Sequence, residues 1–182
     1  MPDAAPLILT LALDNAAQTY FDALRRQHFP AHLNYLAAHL TLFHHLPETE
    51  ADEVLAHLAA VAASQRPLPL QVAAVRSLGR GVAFRLECAG LLALHRQLQT
   101  DFAPHLTAQD RQPLQPHVTV QNKVEPPTAQ ALLAALQHDF APFGAIGTGL
   151  HLWHYRGGPW ESLAEFSFTA SSAAALSLGT IT

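Results

Sequence analysis

Two short stretches hold the residues of this sequence best suited to moving a proton: His39-Leu40-Thr41-Leu42 and His117-Val118-Thr119-Val120. Alternate side chains of a β-strand share a face. Each stretch therefore presents an imidazole and a hydroxyl on one side and two aliphatic groups on the other. Imidazole ordinarily titrates near pH 6.5, so one histidine of a pair can hold a proton while the other lacks it. On opposite sides of a phosphorus atom, such a pair can take the proton of an attacking oxygen and protonate the leaving one. The threonine hydroxyls can donate to the non-bridging oxygens as charge builds on them. That arrangement needs no metal, and it suits a 2′,3′-cyclic phosphate or a 2′-5′ phosphodiester with a neighbouring 3′-hydroxyl. With twelve histidines in the chain, chance supplies roughly 0.2 such tetrads, so a second in the other half of the chain argues for a paired site.

The flanking sequence supplies the strands that must carry them. Residues 6–13 are a continuous apolar run of strand length, followed by Asp14 or Asn15 as the cap of a helix running to about residue 27. Residues 36–43 hold the first tetrad and read as a buried strand. Acids at 48 and 50 open a helix whose apolar positions Val54, Leu55, Leu58 and Val61 recur at helical spacing. Residues 70–78 and 82–87 read as strands joined through Gly79-Arg80-Gly81. Residues 90–102 read as a helix, and 107–116 as a proline-bearing loop that ends on His117. Another helix spans about 127–140, and a hairpin, 150–155 with 160–168, closes the series.

The order strand, helix, tetrad strand, helix thus occurs twice. The expected fold class is α+β: a bilobal, pseudo-two-fold arrangement of two antiparallel-rich sheets lining a central cleft, with helices packed outside. The whole chain, 1–182, is expected to form one domain, with lobes of about 1–78 and 79–182 that can exchange strands.

Composition narrows the partners. The net charge is −4 and Lys123 is the only lysine, which argues against an extended duplex-binding surface, because neutralising a row of phosphates needs clustered cations. An RNA end or a small cyclic nucleotide needs only a few local donors. No run approaches the length of a membrane span, and Met1-Pro2-Asp3 lacks a basic leader segment, so a cytoplasmic monomer without membrane contact is expected. A single cysteine, Cys88, excludes an intramolecular disulfide. His44 and His45 follow the first tetrad closely, yet no Cys or His-Glu-x-x-His pattern joins them. Neither a metal nor another cofactor is therefore expected.

Around the tetrads, Arg111 and Lys123 flank the second one as candidate phosphate contacts. Phe43, two residues beyond Thr41, extends the tetrad face as a candidate cleft wall. Tyr155, with Trp153, is a candidate platform for a base. Cys88 reads as a small buried apolar residue.

The paired tetrads, the second preceded by Pro116, resemble those of the two-histidine phosphoesterase superfamily, in particular the bacterial 2′-5′ RNA ligase-like and cyclic phosphodiesterase branch. The resemblance covers residues 7–168 in element order, and its specific motifs are the eight tetrad residues. It implies a bilobal α+β fold, metal-independent phosphodiester chemistry on RNA ends or cyclic nucleotides, and His39, Thr41, His117 and Thr119 as the catalytic four. Some members carry an arginine five residues after the second histidine, where this sequence has Asn122 followed by Lys123. A non-catalytic module that binds RNA ends or nucleotides in the same cleft is the alternative, and turnover separates the two.

Overall fold

The computed structural model describes residues 6–171; residues 1–5, read above for a leader segment, lie outside them. Among the described residues, seven strands and four α-helices follow one another as β1 (Leu7–Leu13), α1 (Asn15–His28), β2 (Leu40–Leu46), α2 (Ala51–Ser64) and β3 (Leu68–Ser77). The same order returns as β4 (Val82–Glu87), α3 (Ala89–Asp101), β5 (His117–Gln121), α4 (Pro126–His138) and β6 (Phe143–His154), with β7 (Glu161–Ser167) added at the end. The class is α+β, as expected. All pairings are antiparallel, in the order β2-β1-β6-β3-β4-β5.

The two groups of strands are not separate sheets. Residues 143–147 of β6 pair with β3, and residues 149–154 pair with β7, so β6 joins everything into one hydrogen-bonded sheet. The end strands β2 and β5 then meet, nearly closing the sheet into a barrel. The two tetrads arrive side by side because they occupy those two ends.

Local chemistry sets the element boundaries. Asp14 caps α1 by accepting from Ala16 and Ala17 N–H at 3.0 and 3.1 Å, which satisfies donors the helix cannot. Strand β6 begins at Phe143, well before the expected residue 150. Its glycines 144, 147 and 149 weaken the strand pattern, yet two of them mark close approaches. A Cβ at Gly149 would lie 2.3 Å from the Phe166 carbonyl oxygen, and one at Gly147 would meet the Leu11 methyls.

The odd-numbered leucines of β1, together with Leu40, Leu42, Val118 and Val120, form one core with Phe21, Leu58, Leu91 and Leu98 of the helices. That core takes the aliphatic half of each tetrad and turns the histidines and threonines the other way.

Candidate active site

His39 and His117 sit one residue before β2 and at the start of β5, and their rings are held identically. His39 Nδ1–H donates to the Ala37 carbonyl at 2.8 Å, and His117 Nδ1–H donates to the Gln115 carbonyl at 2.8 Å. Each bond fixes the tautomer with the proton on Nδ1, so Nε2 keeps its lone pair. Among the described residues neither Nε2 has a hydrogen-bond partner. A backbone carbonyl two residues upstream does this in both halves, which composition and spacing could not reveal.

A second symmetry follows each threonine. Thr10 pairs with Thr41 and Leu9 with Phe43, so β2 spends two residues where β1 spends one. Ala83 pairs with Thr119 and Val82 with Gln121, so β5 does the same against β4. Both are β-bulges, which shift the alternation of side chains by one. The bulge overturns one expectation. Phe43 does not line the cleft but is fully buried, stacked on His95 with ring centroids 4.7 Å apart. Gln121, its counterpart, is likewise buried.

The helices hold the tetrads crosswise. Helix α1 precedes β2 in the chain, yet it packs against β5. Its Gln18, Asp22 and Arg25 lie on one stripe, at i, i+4 and i+7. Gln18 Nε2 donates to the carbonyl of Ala38 at 2.8 Å, and the Ala38 N–H donates to Asp22 Oδ1 at 2.7 Å, clamping the residue before His39. Arg25, 6% exposed, donates through Nε to Asn34 Oδ1 and the Leu36 carbonyl, and through Nη1 to the Thr119 carbonyl at 2.9 Å. One guanidinium therefore ties the segment leading to the first tetrad to the second tetrad itself. Reciprocally, His95 of α3 reaches back to the Leu42 carbonyl at 3.1 Å.

Thr41 and His117 line one cavity of about 120 Å³ with His44, His95, Asp110 and Gln115. Its outer wall is the loop 107–116, latched onto β2 by the buried Asp110. That carboxylate accepts from the His44 N–H at 2.8 Å and from the Thr107 hydroxyl at 3.0 Å. Burial alone would raise its pKa, but these bonds outweigh burial and hold it below the usual carboxylate value. A larger cavity of about 520 Å³ between α1 and α4 is lined mainly by alanines, Tyr20, Leu136, Phe140 and Phe143. It also holds Asp139 but none of the four tetrad residues, whereas the smaller cavity takes Thr41 and His117, with His39 and Thr119 outside its lining.

His39 is pushed down to about 4, chiefly by burial; the hydrogen bond to Ala37 opposes that shift only in part, while Arg25, His117 and His44 add to it. The indole of Trp160 lies against His39, ring centroids 4.7 Å apart, and 6.0 Å from Trp153. Trp153 Nε1–H donates to the Thr10 hydroxyl at 2.9 Å.

The other expected contacts are dispersed. Tyr155 is exposed and makes no ring contact with a tetrad histidine; Trp160 holds that place. Arg111 turns away, Nη2 to the Ala103 carbonyl at 3.4 Å. Lys123 lies in the turn beyond β5, with φ 60°. The missed neighbours, Arg76, Arg85 and Trp160, carry no sequence signal until strand register is known. Among the described residues no three His, Cys, Asp or Glu side chains gather as a metal site, and no helix is long and apolar enough to cross a membrane.

The sequence matches the 2′-5′ RNA ligase superfamily over residues 13–159. No curated protein is a significant match. Among solved structures, TT0787 of Thermus thermophilus is 17% identical with a TM-score of 0.64, covering 90% of this chain and 98% of its own. LigT of E. coli complexed with 3′-AMP is 20% identical with a TM-score of 0.59, covering 91% and 99%. A structure described as a phosphoesterase is 18% identical with a TM-score of 0.58, covering 92% and 99%. At these identities the likeness is one of fold.

Proposed function

We propose, because this chain belongs to the 2′-5′ RNA ligase superfamily, that it hydrolyses 2′,3′-cyclic phosphates or 2′-5′ phosphodiester bonds at RNA ends or in small nucleotides, using His39, Thr41, His117 and Thr119. The observation that carries the reading is the twin restraint on the two rings, each with Nδ1–H on a carbonyl and Nε2 free. A structural histidine in a strand has no need of that arrangement twice. LigT of E. coli, bound to 3′-AMP, shows a relative in fold that accepts a nucleoside monophosphate.

In hydrolysis of a cyclic phosphate, water forms the new P–O bond and one ribose oxygen leaves. Burial keeps His39 neutral near pH 7, which suits it to take the water proton at Nε2 as general base. For this step His117 must enter as the imidazolium, with Nδ1–H on the Gln115 carbonyl and a second proton on Nε2. It gives the Nε2 proton to the departing ribose oxygen, and solvent then takes the proton from His39 and returns one to His117. The hydroxyls of Thr41 and Thr119 donate to the non-bridging oxygens. Run backwards, the same groups exchange roles and join ends. The chemistry uses only these side chains, so a chelator leaves the rate unchanged. Turnover of nucleoside 2′,3′-cyclic phosphates and 2′-5′ dinucleotides, with and without chelator, tests the reading. Phosphate-dependent binding without turnover of any of them would favour the binding module instead.

A pH profile follows from the state of His39. A general base must be unprotonated, so activity falls as pH drops through its pKa. The acid limb of kcat/KM for the free enzyme is therefore expected near pH 4, the value to which His39 is pushed, rather than near 6.5. Trp160→Ala uncovers the ring to water, weakens the desolvation and should move that limb upward. A limb that stays put in the variant would show that Trp160 does not set the environment of His39.

A further inference from the structure

The paired tetrads are symmetric, but their neighbours across the strands are not. In the first half Thr41 faces Thr10, and Thr10 faces His151. In the second half Thr119 faces Ala83, and Ala83 faces Arg76, while His117 faces Arg85 directly. Directly opposed residues share a face, with Cβ atoms about 5 Å apart. Arg76 stands two strand spacings, about 10 Å, from Thr119, and only the methyl of Ala83 lies between them. The first wall instead carries the rings of Trp153 and Trp160, with His151 stacked on Trp153 at 3.5 Å and paired with Glu165.

Acid–base transfer at one phosphoryl group uses neither Arg76 nor Arg85. Their donors are mostly free for another anion. Arg76 spends one N–H on the Gln115 side chain, at 3.3 Å, leaving the rest of its fork open. Arg85 pairs with Glu87, but both side chains are about half exposed, and such a pair is weak and readily exchanged for a bidentate phosphate.

We infer that Arg76 and Arg85 form a subsite for a second, non-reacting phosphate of the substrate. It then favours nucleotides and oligonucleotide ends carrying a further phosphate over nucleosides with the scissile one alone. The aromatic wall would take the base, so the broken symmetry also sets which way the substrate lies. The inference rests on the reading above for the phosphate held between the histidines.

Adenosine 3′-monophosphate and adenosine 3′,5′-bisphosphate test it by equilibrium binding, read by calorimetry at low salt. The wild type should bind the bisphosphate about tenfold more tightly, an advantage that falls with added salt. Arg76→Gln and Arg85→Gln should each shrink that ratio, and together bring it to about one, with the monophosphate affinity kept. Arg80→Gln removes the same charge from the β3–β4 turn, where Arg80 pairs with Glu125, and should leave the ratio intact. Equal affinity for the two ligands in the wild type, a ratio that survives the double variant, or equal loss in Arg80→Gln overturns the subsite. Absence of turnover on cyclic phosphates sinks the parent reading instead, and does so without touching the affinity ratio.

Discussion

His117→Ala is expected to lower kcat on a 2′,3′-cyclic nucleotide about 10²–10⁴-fold, and His39→Ala to do the same, which is the range for losing one positioned acid or base. KM should change little, because the phosphate keeps the threonine hydroxyls and the reacting proton is felt chiefly in the transition state. Neither ring is a core residue. Each is partly exposed, and its polar contact is one hydrogen bond to a carbonyl two residues away. Melting temperatures should therefore stay close to the wild type. Because the two act on one reaction coordinate, the double variant should be scarcely worse than either single one. Near-full activity in either single variant on every substrate the wild type turns over would end the two-histidine mechanism.

The tetrads and most elements were legible because they depend on period. The alternation of His39, Thr41 and Leu40, Leu42 requires a strand with one buried face, and the core obliges. What the sequence withheld depends on register and on crossing. Strict alternation places Phe43 on the cleft wall, but a bulge puts an extra residue into the pairing after Thr41, and that is invisible without the partner strand. Trp160 and Tyr155 flank the same glycine-rich turn, and sequence offers no reason to prefer the one that touches His39. Arg85 gains meaning only from facing His117. The glycines of β6 suppressed its strand signal although their lack of Cβ is what admits the neighbouring chains.

The crossing of α1 leads to the second large effect. Arg25 holds the approach to His39 and the strand of Thr119 at once, through the Leu36 and Thr119 carbonyls. Its guanidinium also lies 4.0 Å above the Phe29 ring, so its fork is locked in place and lysine cannot reproduce it. Arg25→Met leaves buried acceptors unpaired and should cost about 2–4 kcal/mol of stability. Arg25→Lys keeps the charge but serves fewer of the acceptors, and it should be folded at 25 °C. In that variant a drop in kcat of about 10–100-fold is expected, since displacing a catalytic group by 1 Å can cost about 10². Its affinity for adenosine 3′-monophosphate should stay within a few-fold of the wild type, because Arg25 reaches backbone rather than substrate. The charge near His39 is retained as well, so the acid limb of the lysine variant should not move, whereas that of Arg25→Met should rise as a repelling cation is lost. A purely structural arginine would alter the melting temperature and leave kcat of the folded lysine variant unchanged, and that result would remove Arg25 from the account of how the tetrads are aligned.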